Sequence, residues 1–280
     1  MSKNKRVKSF LIRLSLIVIS LITLFPLLWA VSASLRTDQE LFKYTVPFSI
    51  HTLFPVEPTF ESYIALFRDF NFATPMINTL ILVTILIPLG CIVNSVAAFA
   101  FSIYEFKGKK ILYAIVLLSF MIPFEAIAMP LYNVIDGMKM VDTRMGLILP
   151  AIASGLVLFL FKQFFMDIPP SLIEAGRIDG ANLGQIFVRI IMPSSIPVFI
   201  TAGLMIFMDQ WNAYLWPLLV ARSRNIQTIQ LAMGSFKMER QTLWSAMYAG
   251  TIVSAIIPLS LFLPFQKYFI QGITSSGVKG

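Results

Sequence analysis

The sequence predicts an all-α, polytopic membrane protein with six transmembrane helices. Two observations carry that expectation and a third orients it. Of 280 residues, 57% are hydrophobic and 13% are charged, about half the charged share of an ordinary soluble domain. The apolar residues fall in runs of roughly 20, the length a helix needs to cross hydrocarbon. These runs are apolar on all sides, whereas a helix of a soluble core carries an apolar stripe on one face. Finally, lysine and arginine concentrate in particular short loops, the pattern that marks the cytoplasmic side.

Six spans are expected, at residues 14–35, 76–101, 111–132, 147–165, 194–221 and about 246–268. Each contains or adjoins a proline: Pro26, Pro88, Pro123, Pro150, Pro217 and Pro258. Membrane helices tolerate proline because neighbouring helices and hydroxyls satisfy the carbonyls it frees. The first run has a basic start (Lys3, Lys5, Arg6, Lys8) and a small-residue end (Val31, Ser32, Ala33), as a signal peptide would. Its apolar stretch exceeds the usual 7–15 residues, so an uncleaved anchor is expected. The basic N-terminus and the short turn YEFKGKK, with Lys107, Lys109 and Lys110, face the cytoplasm on this reading, as does the C-terminus. Loop 166–193 then faces the cytoplasm too. Arg222, Arg224, Lys237 and Arg240 run against the charge rule, because they fall on the outer side. The long outer loop 36–75, punctuated by Pro47, Pro55 and Pro58, is expected to lie against the membrane. The whole chain, 1–280, reads as one transmembrane domain.

Several function classes drop out. A net charge of +8 would suggest nucleic acid in a soluble protein; here it is explained by cations that hold loops on one side. The single cysteine, Cys91, and single histidine, His51, give no cluster at zinc-ligand spacing. Gly108-Lys109-Lys110 lacks the rest of a phosphate-cradling loop, so no nucleotide site is expected in this chain. No nucleophile has an evident base, which argues against an intramembrane enzyme. The absence of repeated halves argues against an ion-coupled carrier.

The insert EAGRIDGANLGQIFVRIIMP, residues 174–193, is charged and glycine-spaced between two greasy runs. Pro169 and Pro170 stop the preceding helix. Ser171 with Glu174 fits a capping box, predicting a helix from Leu172 to about Asp179. Gly180 ends it in a left-handed conformation or breaks it. Asn182 caps a second helix, with Gln185 at its third position, running to Met192. Gly176 and Gly180 would leave one face without bulk, while Ile186 and Ile190 form an apolar stripe. On the residues alone the insert is either a connector lying on headgroups or a docking surface; its mixed charge favours docking.

These residues resemble the EAA motif of ABC importer permeases: Glu174-Ala175-Gly176, then Gly180, Ile190 and Met192-Pro193. Gly176 stands where the motif usually has alanine, and Met192 where it has leucine. FPVEPTFESY (54–63), IPFEAIAMPLY (122–132), WNAYLWPLL (211–219) and the tail QKYFIQGITSSGVKG (266–280) resemble the carbohydrate-uptake branch, in particular the smaller, second permease of the maltose transporter family. The resemblance implies a cytoplasmic coupling helix between the fourth and fifth spans that docks on an ATPase. The residues expected to carry that coupling are Glu174, Ala175, Gly176, Arg177, Asp179, Gly180, Ile190 and Pro193. Arg177 and Asp179 read equally well as rim charges of the contact or as simply solvated groups. The implied partners are a second homologous permease, two cytoplasmic ATPase subunits that bind ATP and magnesium, and an external solute-binding protein; no cofactor belongs to this chain. The implied site of action is a bacterial or archaeal plasma membrane.

Polar groups inside spans are costly and usually face a pathway or a partner. Asn78, Glu125, Asp209 and Asn212 all lie toward the outer ends of their spans, with Trp211, Tyr214 and Trp216 nearby. They are candidates to line a vestibule for a sugar-like solute. The aromatic residues read more readily as anchors at the membrane–water interface. A sugar or oligosaccharide is the leading solute, and a glycerol phosphate derivative is the alternative.

Overall fold

In the computed structural model, residues 3–44, 49–236 and 243–275 are described; Pro47, Lys237, Arg240 and the last five residues of the tail motif lie outside them. The described residues form helices in this order. Helix α1 is Lys3–Ser34, α2 Asp38–Lys43, α3 Ile50–Leu53, α4 Glu61–Arg68 and α5 Ala73–Ile103. Next come α6 Lys109–Met121, α7 Phe124–Gly137, α8 Arg144–Ile148, α9 Gly155–Met166, α10 Pro170–Ile178 and α11 Leu183–Ile186. A π-helical segment, Phe187–Ile191, leads into α12, Met192–Ser194. The chain closes with α13 Ile196–Trp211, α14 Leu215–Val220, α15 Ile229–Gly234 and α16 Trp244–Ser275.

Among the described residues, four stretches are long and apolar enough to cross a bilayer: Lys8–Ser34, Ala73–Ile103, Arg144–Met166 and Trp244–Lys267. Two bent pairs bring the number to six when each pair counts as one span. The first is α6 with α7, bent by 103°, where the sequence suggests one helix over 111–132. The cause is Pro123. It places Ile122 in an extended conformation (φ −73, ψ 124), as residues before proline prefer, and it cannot donate to continue α6. The 13 residues of α6 rise only about 20 Å at ~1.5 Å per residue, short of the ~30 Å hydrocarbon. The second pair is Leu183–Ser194 with Ile196–Trp211, bent by 81° at Ser195. The expected run 194–221 is thus α13 plus a separate short α14.

The described chain forms two compact units, residues 1–73 with 232–257, and 74–231 with 258–280. In the first unit, the 18-residue window of α1 has none of its residues buried. Its end is pinned instead: Arg36, 1% exposed, donates from Nη2 to Ser32 Oγ at 2.9 Å, and Ser34 Oγ pairs with Tyr63 OH at 2.7 Å. Burial pushes the Arg36 guanidinium down from its ordinary pKa, and the nearby Glu40 charge opposes that shift. Loop 36–75 contributes α2, α3 and α4, with Leu66 buried while Phe42, Phe54, Phe60 and Ile64 stay exposed. Asp38 Oδ1 accepts from Ser245 N at 2.7 Å and Ser245 Oγ at 2.6 Å, a carboxylate at the N-terminus of α16 where the helix dipole favours it.

The second unit holds the main apolar core, in which Leu86, Ala98, Phe161, Ile186, Ile191, Ala202 and Val220 are fully buried. Helix α9 packs on α6 and on α13. Phe161 meets Phe199 at 4.7 Å between ring centroids. Two glycines permit the close approaches: a Cβ on Gly155 would lie 2.9 Å from Phe120 Cβ, and one on Gly90 would lie 2.8 Å from Ile206 Cδ1. The stretch Arg144–Met166 is not one continuous α-helix, because a 3-10 turn, Leu149–Ala151, precedes α9. Asn94 repairs that break from α5. Its Nδ2 donates to Gly90 O at 2.7 Å and Ile152 O at 2.9 Å, and its Oδ1 accepts from Ser154 N at 2.9 Å. Backbone groups freed inside a membrane need partners of this kind.

Candidate functional site: the hairpin between the fourth and fifth spans

Helix α10 begins earlier than the Ser171–Glu174 box would have it. Pro169 is the N-cap and Pro170 the first helical residue, and Pro169 makes no side-chain cap bond. Proline suits that first position because its missing N–H has no helical partner there. The start moves upstream, Ser171 falls inside the helix, and the proposed box does not form. At the other end Gly180 takes φ +79, the left-handed conformation that closes a helix cheaply only with glycine. Ala181 N then returns to Gly176 O at 2.9 Å. The second cap is as the spacing predicts: Gln185 N donates to Asn182 Oδ1 at 2.9 Å and Asn182 N donates to Gln185 Oε1 at 2.9 Å.

The two arms close on each other through Gly176. It is buried, and a Cβ there would lie 2.6 Å from Ile190 Cδ1 and 3.5 Å from Ile186 Cγ1. The bare face suggested for Gly176 and Gly180 is therefore closed at Gly176 and open only at Gly180. Gly176 turns inward with Ile173, and its small size serves packing within the hairpin. At about 100° per residue, the opposite face of α10 carries Ser171, Glu174, Ala175 and Ile178, all exposed. Ile178 is 85% exposed. Arg177 and Asp179 flank that face and are exposed as well. Ile178 escaped the sequence reading, although its spacing of four from Glu174 was a usable signal. Pro193 lies within α12 rather than ending the second arm. With Met192, Ile196 and Phe199 it borders an apolar groove of about 640 Å³.

The outer-end candidates separate into two groups. Glu125, in the first turn of α7, and Asp209 and Asn212, at the end of α13, are exposed. Gln210 Nε2 donates to Asp209 Oδ2 at 2.7 Å, and Asn212 Nδ2 donates to Met208 O at 2.7 Å. Trp211 and Asn78 are buried instead. Trp211, 2% exposed, stacks on Phe207 with centroids 5.3 Å apart. Asn78, 5% exposed, spends its amide on Asn225 O at 2.8 Å and Gln227 O at 3.1 Å. Trp216 is likewise an anchor, donating Nε1 to Gly146 O at 3.1 Å.

Apolar spans joined by a self-packed hairpin that shows a charged and apolar face outward define the class: a multi-pass membrane subunit. Residues 87–274 match the sequence profile of the binding-protein-dependent transport system inner membrane component family, and the chain belongs to that family. It is 31% identical over 281 residues to an arabinooligosaccharides transport system permease protein of Halalkalibacterium halodurans, covering 99% of each chain. It is 30% identical over 288 residues to an sn-glycerol-3-phosphate transport system permease protein of Salmonella choleraesuis, again covering 99% of each. The fold is similar, with a TM-score of 0.81 and 23% identity, to a crystal structure of a bacterial ABC transporter involved in the import of the acidic polysaccharide alginate, over 96% of this chain and 99% of that one.

Proposed function

We propose that this chain is one of two permease subunits of an ATP-driven, binding-protein-dependent importer of a sugar or oligosaccharide. The observation that carries this is the hairpin: two capped arms locked by Gly176 against Ile190, with Ile178 turned outward. A rigid body of this kind transmits the closure of a partner as motion of the spans attached to it. The hairpin and both termini lie in the cytoplasm of a bacterial or archaeal cell on this reading, and a cytoplasmic ATPase subunit receives Glu174, Ala175 and Ile178. ATP and magnesium bind that partner. A second, homologous permease completes the pathway, and an external binding protein delivers solute.

Sugar is the better solute on the chemistry of the outer ends. Glu125, Asp209 and Asn212 are exposed and offer acceptors for hydroxyls. The resemblance to a glycerol-3-phosphate permease supports the second reading. Proteoliposomes holding this chain, its partner permease and the ATPase distinguish them. Uptake of labelled oligosaccharide that requires both ATP and the binding protein is expected. Accumulation by this chain alone would overturn the role, and preference for glycerol phosphate would overturn the solute.

A further inference from the structure

Helix α6 is too short to cross the hydrocarbon by itself, and α7 leaves it at 103°. A helix that leaves a membrane-crossing one at that angle runs close to the membrane plane. Lying flat, it occupies the thickness of one helix with its side chains, about 10 Å. Added to the rise of α6, that thickness matches a hydrocarbon core of ~30 Å. At about 100° per residue, the side chains of α7 divide into three flanks. Ala128 and Ile135 form a buried flank, beside which Phe124 meets Trp216 of α14 with ring centroids 6.0 Å apart. Ile127, Pro130, Val134 and the C-cap Met138 form a second flank, apolar and exposed. Glu125, Asp136 and the half-buried Tyr132 form a third, with Met129 as its apolar member. Tyr132 OH accepts from Arg222 Nη2 there. The second and third flanks lie on nearly opposite sides of the helix.

We propose that α7 lies flat in the outer leaflet of the bilayer, with Ile127, Pro130, Val134 and Met138 set against lipid. This goes beyond the importer reading and holds whatever the solute; it uses only that α6 crosses the membrane. The outer side follows from the orientation given by the basic loops, and the flat position does not depend on it. Lipid is the occupant for two reasons. First, the flank continues an exposed apolar surface. Every residue of α6 is at least partly exposed, and Ile111, Ile115, Leu118 and Ile122 form a stripe on one side that leads into the bend. Second, an apolar flank opposite a charged one is what a helix at the membrane–water boundary needs. Free-standing interfacial helices favour lysine and arginine on their polar face. Helix α7 carries Glu125 and Asp136 instead, but it is held by its join to α6 and by packing on α14, so it needs no cationic attraction. Lipid thereby sets the roll of α7 and holds Glu125 and Asp136 toward water.

The test uses the full chain in phosphatidylcholine discs, with and without its partner permease, after Cys91→Ala and removal of any partner cysteines. Nitroxide labels are attached singly through Ile127→Cys, Val134→Cys and Met138→Cys on one flank, and through Glu125→Cys and Asp136→Cys on the other. All five positions are exposed, and each flank has more than one probe should a variant fail to assemble. Collision with oxygen, which partitions into lipid, is compared with collision with a water-soluble nickel chelate. Oxygen should exceed nickel at the first three positions, and the order should reverse at the other two. The depths at Ile127→Cys and Met138→Cys should agree within about 4 Å, whereas a helix continuing the crossing would separate them by ~16 Å. A separation of that size overturns the flat position. Nickel in excess on the apolar flank places it in water and refutes the lipid contact. Shielding from both reagents only when the partner permease is present gives the flank to that subunit and refutes it equally. None of these readouts involves ATP or solute, so the importer reading stands or falls separately.

Discussion

Ile178→Ala isolates what the hairpin's outer face contributes. The side chain is 85% exposed in the isolated chain, so its truncation leaves the fold's own packing untouched. Exposed substitutions of this kind shift stability by no more than about 0.5 kcal/mol. The proposed docking would bury the same side chain in the ATPase subunit. Losing the atoms beyond Cβ removes about 2.4 kcal/mol, at ~0.8 kcal/mol per buried methylene. At ~1.4 kcal/mol per decade, affinity falls about 50-fold. The assay titrates purified ATPase subunit onto the permease pair in lipid discs, with thermal unfolding measured in parallel. The expected result is a much weaker complex with an unmoved melting temperature. Native affinity in the variant would refute the argument that α10 docks by the Glu174, Ala175, Ile178 face. A collapse of thermal stability would equally refute it, by showing that Ile178 supports the fold.

Two further substitutions probe the interior. Gly176→Leu should overpack the hairpin by about 1–3 kcal/mol, because its Cβ alone meets Ile190 Cδ1 at 2.6 Å. Gly176→Ala should be tolerated by a small swing of that Ile190 tip, and adding Ile190→Ala to Gly176→Leu should recover protease resistance of the hairpin; failure of the pair to recover would disprove the contact. Asn94→Leu leaves Ile152 O and Ser154 N without partners in an apolar setting, at about 1–3 kcal/mol each. Faster hydrogen exchange at the Ser154 amide is expected, and unchanged exchange would show that another group had already satisfied it.

Local chemistry was readable from the chain alone. Run length gave the apolar spans, because crossing hydrocarbon demands a fixed number of residues wherever the helix sits. Asn182, Gln185 and Gly180 announced their turns, since caps and left-handed glycines are settled within a few residues. Pro123 was visible too, yet whether a proline kinks a membrane helix or breaks it depends on what surrounds the freed groups. Only the tertiary structure decided between them, giving a bend of 103° there and a continuous helix through Pro88 in α5. It likewise decided the polar residues. Asn78 became a loop clip, Asn94 the repair of a broken span, and Trp211 a core stack, while Glu125 and Asp209 stayed exposed. Sequence fixes which donors and acceptors a span carries, but their roles depend on which element folds across from them. Gly176 shows the same division: its smallness was legible, but that the smallness answers Ile190 could be known only once both arms of the hairpin were in place.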